Sequence, residues 1–231
     1  MLPMKLAQSE VLKKWEKAFQ EGTDKRYPSI DLVRLEYWFF GHPTQGKLLD
    51  YGFGTGVNTI HLLECGYEII GIDAAQGALA LVESKVKHRP DIRNRIQLIH
   101  LHDNAECLPF EDSSFDYLVC ISVLSLLGSK ERVQHLLSEF SRVLKPGAKA
   151  ILDINDTRSE FSENSEHIGD NVYQFRGPSG KDNPISCYCL PDEQSFVHVV
   201  EPFFKIVDVG YSGHKYFKRR IREFIICAER K

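Results

Sequence analysis

The stretch Asp50-Tyr51-Gly52-Phe53-Gly54-Thr55-Gly56 constrains the fold more than any other part of the chain. It follows the apolar pair Leu48-Leu49 and leads into an amphipathic helical pattern over 55–65. Glycine tolerates positive φ and lets another group approach the main chain closely. A helix that starts behind such a turn presents free N–H groups and its positive dipole end. The strand therefore delivers a carboxylate, Asp50, and the turn behind it delivers bare backbone. This is the start of a ligand-binding βα unit.

The rest of the chain repeats that alternation. Lys47–Tyr51, Glu68–Ile72, Ile96–Leu101, Phe115–Ile121 and Lys149–Ile154 read as strands, and the stretches 55–65, 75–88 and 130–144 between them read as helices. Strands separated by helices imply βαβ units and a parallel sheet covered on both faces. Two helical stretches, 6–20 and 30–40, come first. After 154 the pattern breaks into a polar segment with a β-hairpin expected from 172–175 and 185–190. A helix over 191–203 and two strands, 205–211 and 221–228, close the chain. The 231 residues fit one domain, with 1–46 as an N-terminal helical cap and 155–190 as an insert.

Composition sets limits. A net charge of −3 gives no global attraction to nucleic acid or anionic lipid. No run approaches the ~20 apolar residues of a membrane span. Gln8, Ser9 and Glu10 interrupt any signal-peptide core. The six cysteines form no C-x-x-C pair, so reduced, mostly buried thiols in a cytoplasmic protein are expected. His100 and His102 share a strand face without an identifiable further ligand, and no metal site is expected.

Five motifs occur in order: Asp50 to Gly56, Asp73 at the end of the second strand, His102-Asp103-Asn104-Ala105 with Leu108-Pro109-Phe110, Asp112-Ser113-Ser114-Phe115-Asp116, and Arg142-Val143-Leu144-Lys145-Pro146-Gly147. Together they resemble the class I S-adenosylmethionine-dependent methyltransferases, in particular the broad small-molecule group of that superfamily. The resemblance covers 47–154 strongly and 190–228 in outline. Phe53 departs from it, since that position is often small in the family. The resemblance implies a doubly wound, Rossmann-like α/β fold with a seven-stranded sheet in the order 3-2-1-4-5-7-6 and the last strand antiparallel. It implies S-adenosylmethionine as cofactor, S-adenosylhomocysteine as product, and direct in-line methyl transfer.

The same resemblance assigns residues. Gly52, Gly54 and Thr55 would line the methionine end, Phe53 and Gly56 would bind the cofactor with them, and Asp50 would add negative charge near the sulfonium. Asp73, with Ala74 beside it, lies where open parallel sheets bind ligands and would accept from the ribose hydroxyls. Asp103 would accept from the adenine amino group, while the backbone of Asn104 and Ala105 would read the ring edge. Ile121 and Ser122 would pass under the cofactor. Tyr27 and Arg34 are the candidates from the N-terminal cap, Arg34 for the cofactor carboxylate. A packed aromatic and a solvated helix face are the alternative roles of these two residues.

Rival readings fail on particular residues. A G-x-G-x-x-G dinucleotide fingerprint needs glycine where Val57 stands, and no Gly-Lys-Ser/Thr of a P-loop follows. Cys120-Ile121-Ser122-Val123 replaces the Asn/Asp-Pro-Pro-Tyr/Phe of base-amino methyltransferases, and no Pro-Cys dipeptide of cytosine C5 enzymes occurs. A small-molecule acceptor methylated at oxygen or nitrogen is therefore expected, with the insert and the N-terminal helices forming its pocket. The basic, aromatic run Lys215 to Arg222 is either a solvated turn or a contact for RNA or an acidic partner. A non-catalytic cofactor-binding protein is the other alternative. His167 and His214 are both candidates for a general base, and the spacing selects neither.

Overall fold

The strand that leads into the glycine turn is an interior strand of a seven-stranded sheet, as the computed structural model shows. It describes residues 5, 8–42, 45–102, 105–175, 184–217 and 219–231. Helices α1 (Ser9–Gln20) and α2 (Ile30–Leu35) come first, and α2 runs on into a π-helical turn, Glu36–Phe40. The alternating core follows: β1 (Lys47–Tyr51), α3 (Val57–Glu64), β2 (Glu68–Asp73), α4 (Gln76–Val86), the single turn α5 (Pro90–Arg93), and β3 (Ile96–His100). Next are β4 (Phe115–Cys120), a 3-10 turn over Leu124–Leu127, α6 (Lys130–Val143) and β5 (Leu144–Asn155). The last part comprises α7 (Glu160–Glu163), β6 (Glu166–Gly169), β7 (Val172–Phe175), β8 (Ile185–Tyr188), α8 (Glu193–Val200), β9 (Phe204–Tyr216) and β10 (Arg219–Arg230).

The main sheet runs β3-β2-β1-β4-β5-β10-β9. The first five strands are parallel, and β10 is antiparallel to both β5 and β9. This is the expected seven-stranded order, with β10 and β9 in the places of the seventh and sixth strands. The near-continuous apolar runs of β1, β4 and β5 have a physical cause: both faces of these strands are covered. Leu49, Leu118 and Leu152 face one core layer with α6 and α8, and Leu48, Val119 and Ile151 face the other with α3 and α4.

The insert differs from a simple hairpin. A third strand, β6, joins β7 and β8 in a separate antiparallel sheet. All four residues of β6 are exposed, so no apolar alternation marks it in the sequence. The turn expected at 177–180 lies outside the described residues. The cap also differs from a single second helix: α2 stops after six residues and widens into the π turn, closed by Gly41 at φ 82°.

α1 lies across α4 and closes the carboxyl end of the sheet. The Glu16 carboxylate accepts from the backbone N–H groups of Gln76 and Gly77, capping α4. Gly77 is needed there, since a Cβ would meet Phe19 Cβ at 2.7 Å. At the other end of α1, Gln8 Nε2 donates to the carbonyls of Leu126 and Ser186. The apolar face of α1 continues into a small cluster in which Val11 packs with Ile185, Cys187 and Cys189, so both these thiols are buried packing groups.

Candidate functional site

A cavity of about 400 Å³ opens at the carboxyl ends of β1, β2 and β4. Its floor is Tyr51 to Thr55 from the glycine turn, Asp73 to Ala75 from the tip of β2, and Ile121 to Val123 after β4. α1 supplies the roof through Leu12, Trp15 and Phe19, and the 23–29 loop supplies Lys25 and Tyr27. Leu126 and Leu127, then His214, Ile221 and Glu223 on the β9–β10 ribbon, form the far wall. Such a crevice outside the strand ends is where open parallel sheets take ligands.

The glycine turn is shaped as the sequence demands. Gly52, Gly54 and Gly56 have φ of 75°, 52° and 74°, all left-handed. Close approach adds a second constraint: a Cβ on Gly52 would run into Val123, and one on Gly56 into Val82. The Asp73 carboxylate ties the turn to β2. Its Oδ2 accepts from Gly54 N–H at 2.8 Å and its Oδ1 from Ala75 N–H at 2.9 Å. A carboxylate has about four acceptor positions, so Asp73 keeps capacity for ligand donors. Burial pushes its carboxyl above the ordinary range, and the N–H groups of Ala75 and Gly54 oppose that rise.

Asp50 is not at the surface of the cavity. It lies beneath the turn, where Thr59 Oγ1 donates to its Oδ2 at 2.7 Å. Burial pushes this carboxyl up to about 7, Thr59 pulls it down, and Asp73 adds to the rise.

Ser122 adopts a left-handed conformation, φ 62°, which turns its N–H onto Asp153 Oδ1 at 2.6 Å. Burial and the charge of Glu223 drive the Asp153 carboxyl well above its ordinary value, while Ser122 N–H and Lys25 oppose. Glu223 rises for the same first reason, burial, opposed by Lys25 and His214 and reinforced by Asp31. At the far end of the cavity Glu223 and His214 share the wall, with Lys25 near Glu223 and Asp153 behind Ser122.

The structure brings Gly52, Phe53, Gly54, Thr55, Asp73, Ala74, Ile121, Ser122 and Tyr27 to this one cavity. Tyr27 remains 81% exposed. Four expected residues lie elsewhere, with Asp50 beneath the turn as described. Gly56 packs behind the turn against α4. Ala105 lies off the cavity wall and donates its N–H to His102 O at 3.0 Å. Arg34 also requires correction: Leu32 is the buried residue of α2, and Arg34 turns outward, 56% exposed beside Asp31 at 3.9 Å. The cap's cation at the cavity is Lys25. Asp103 and Asn104 lie outside the described residues. His214 lines the wall, whereas His167 stacks on Tyr173 in the insert sheet. Among the described residues, none from 155–190 lines the cavity; the insert supports α1 from behind.

Sequence reasoning missed Lys25 and Glu223. Glu223 is one of two acids in a strand that also carries four arginines, and nothing in its spacing marks it. The N-terminal helices were expected over the pocket, and α1 lines it through Leu12, Trp15 and Phe19.

Comparison with known proteins agrees with this geometry. Residues 49–152 match the family model described as a methyltransferase domain. The chain is 33% identical over 144 residues to the putative methyltransferase YqeM of Bacillus subtilis (strain 168), a match covering 58% of this chain and 56% of that protein. It is 36% identical over 108 residues to the demethylmenaquinone methyltransferase of Bacillus cereus (strain ATCC 10987 / NRS 248), covering 46% of this chain and 43% of that one. The chain spans about half the length of these curated relatives. In structure it resembles a SAM-dependent methyltransferase of Methanosarcina mazei, with TM-score 0.71 and 21% identity over 89% of this chain and 99% of that chain.

Proposed function

We propose that this chain, whose residues 49–152 belong to the methyltransferase-domain family, binds S-adenosylmethionine over the glycine turn and methylates a small molecule at oxygen or nitrogen. The observation that carries this reading is Asp73: a carboxylate at the tip of β2, tied to Gly54 N–H, with acceptor capacity left over inside a 400 Å³ cavity. The residues fit the cofactor in kind. Asp73 suits vicinal ribose hydroxyls, and the glycine backbone admits close approach.

The cofactor would supply an electrophilic methyl group on sulfur. The chain's own part is positioning and exclusion of water. Trp15, Phe19 and Leu12 on α1 cover the cavity, and Ser122 is fixed under it by Asp153. Glu223 and His214 stand at the acceptor end. A carboxyl raised by burial is a stronger base than an ordinary one, so Glu223 suits removal of a proton from an acceptor hydroxyl or ammonium. The product would be S-adenosylhomocysteine, and a cytoplasmic setting fits the free thiols.

A second reading, RNA or protein as acceptor, draws on the β9–β10 tip, where Tyr216 and Phe217 are exposed beside Lys215 and Arg220. One assay separates the readings. Calorimetry with S-adenosylhomocysteine should show one site per chain, with no response to NAD. Label from methyl-tritiated S-adenosylmethionine should enter the small-molecule fraction of a cell extract. Label confined to RNA or protein would replace the acceptor class. Binding without transfer would leave a cofactor-binding protein, and absence of binding would remove the proposal.

A further inference from the structure

The π turn of the cap brings a second set of polar side chains together, on the opposite side of α3 from the cavity floor. Glu36 opens that turn and is only 2% exposed, packed among Leu32, Phe40 and Tyr67. His61 and Cys65 lie one helical turn apart on α3 and its C-cap, hence on one face. One oxygen of Glu36, one ring nitrogen of His61 and Sγ of Cys65 all lie within 4.8 Å of one another. Cys65 Sγ is 3.7 Å from His61 Nε2.

We propose that Glu36, His61 and Cys65 bind a zinc ion that fastens the N-terminal cap to α3. A nitrogen, a thiolate and a carboxylate oxygen are the donor set zinc takes in tetrahedral sites. Bonds of ~2.0–2.3 Å put neighbouring ligand atoms ~3.3–3.7 Å apart, so the widest separation in the cluster needs to contract by about 1–1.5 Å. His42, turned back on the chain by left-handed φ at Gly41 and at His42 itself, holds Nδ1 3.1 Å from Glu36 Oε2. His42 stands beside one ligand oxygen but outside the cluster of three, so water would complete the tetrahedron.

The surroundings match a metal centre in two further respects. The Tyr67 hydroxyl donates to Oε1 of Glu36 at 2.9 Å, which leaves Oε2 turned toward His42 and fixes the carboxylate plane. Outer hydrogen bonds of this type hold ligating groups in place. The site also has access to solvent: Glu36 is buried, His61 and Cys65 are half-buried, and the His42 side chain is 52% exposed. A cation here would join 36–42 to the helix that starts from the glycine turn. Its role would be structural, because the cluster does not line the cavity.

Cobalt(II) tests the site without using catalysis. The full chain, stripped with chelator and titrated with cobalt, should bind one ion. It should show the visible bands of a tetrahedral ion together with a near-ultraviolet thiolate-to-cobalt band. Cys65→Ser should abolish the thiolate band, and His61→Asn should abolish stoichiometric binding. Tyr67→Phe should weaken affinity roughly 10-fold. Zinc should raise the Tm of the wild type but not of His61→Asn. Circular dichroism confirms that each variant is folded. An unchanged thiolate band in Cys65→Ser would place the metal at another cysteine and overturn the assignment, as would failure of the wild type to retain zinc or cobalt. Neither result bears on cofactor binding, which the calorimetry above measures separately.

Discussion

Thr59 donates a 2.7 Å hydrogen bond to Asp50, and the pair is sealed beneath the glycine turn. Burial holds the Asp50 carboxyl at about 7 against its usual 3.8, so over that interval the native chain keeps a proton that the unfolded chain has lost. Stability therefore falls as pH rises through the window. Asp50→Asn removes the ionisation and keeps an acceptor for Thr59. Its Tm should exceed that of the wild type at pH 8, by a gain on the order of 2 kcal/mol, and the difference should shrink at pH 5. Parallel Tm profiles for the two proteins would contradict the buried titration.

Asp73 has two tasks, holding Gly54 and Ala75 and meeting the ligand. Asp73→Asn loses the charge and one acceptor while retaining the other. The dissociation constant for S-adenosylhomocysteine should rise roughly 10–100-fold, the worth of one hydrogen bond to a charged group. Calorimetry measures it. Unchanged affinity would exclude Asp73 from the binding site.

Glu223 should separate the two ends of the cavity. In Glu223→Gln, S-adenosylhomocysteine binding should stay as in the wild type, while kcat/KM for the acceptor falls about 100-fold. Wild-type kcat/KM should climb with pH through the raised Glu223 titration, because the base acts when ionised. The variant should lack that limb. Equal pH profiles would assign proton removal elsewhere, with His214 the next group to replace.

Asp156 is fully buried and receives Arg158 at 2.7 Å and Arg222 at 2.8 Å. Burial pushes its carboxyl up, but the two guanidinium groups prevail and hold it below the ordinary range. This joins the end of β5 to the β9–β10 ribbon. Asp156→Ala should cost about 2–3 kcal/mol in urea unfolding, at the lower end for a broken buried pair because Arg158 is half exposed. The wild type should lose the same stabilisation as acid protonates Asp156, below the ordinary carboxylate range. A urea midpoint equal to the wild type's would show the triad to be energetically neutral.

The alternating core was legible because its chemistry is local. Continuous apolar runs mark β1, β2, β4 and β5, and the glycines with Asp73 fix where the crevice lies. Elements stabilised from outside themselves were not legible. β6 has no buried residue and exists through its ladder to β7. β9 and β10 extend well past their apolar stretches, because the backbone pairs of Ser212 to Tyr216 with Arg219 to Glu223 continue the ladder among polar side chains. Arg34 was not legible for a related reason. Only the packing of Leu32 decides which way α2 faces, and it turns Arg34 outward.

The manner in which α1 is fastened has a kinetic consequence. Gln8 ties its start to Leu126 and Ser186, Glu16 ties it to the start of α4, and Lys14 sits over the Phe175 ring between them. A cover held by such side-chain latches can swing away while the sheet beneath stays intact. Escape of a spent molecule would then keep time with that helix, and the turnover ceiling would answer to Glu16 although it never meets the reacting atoms.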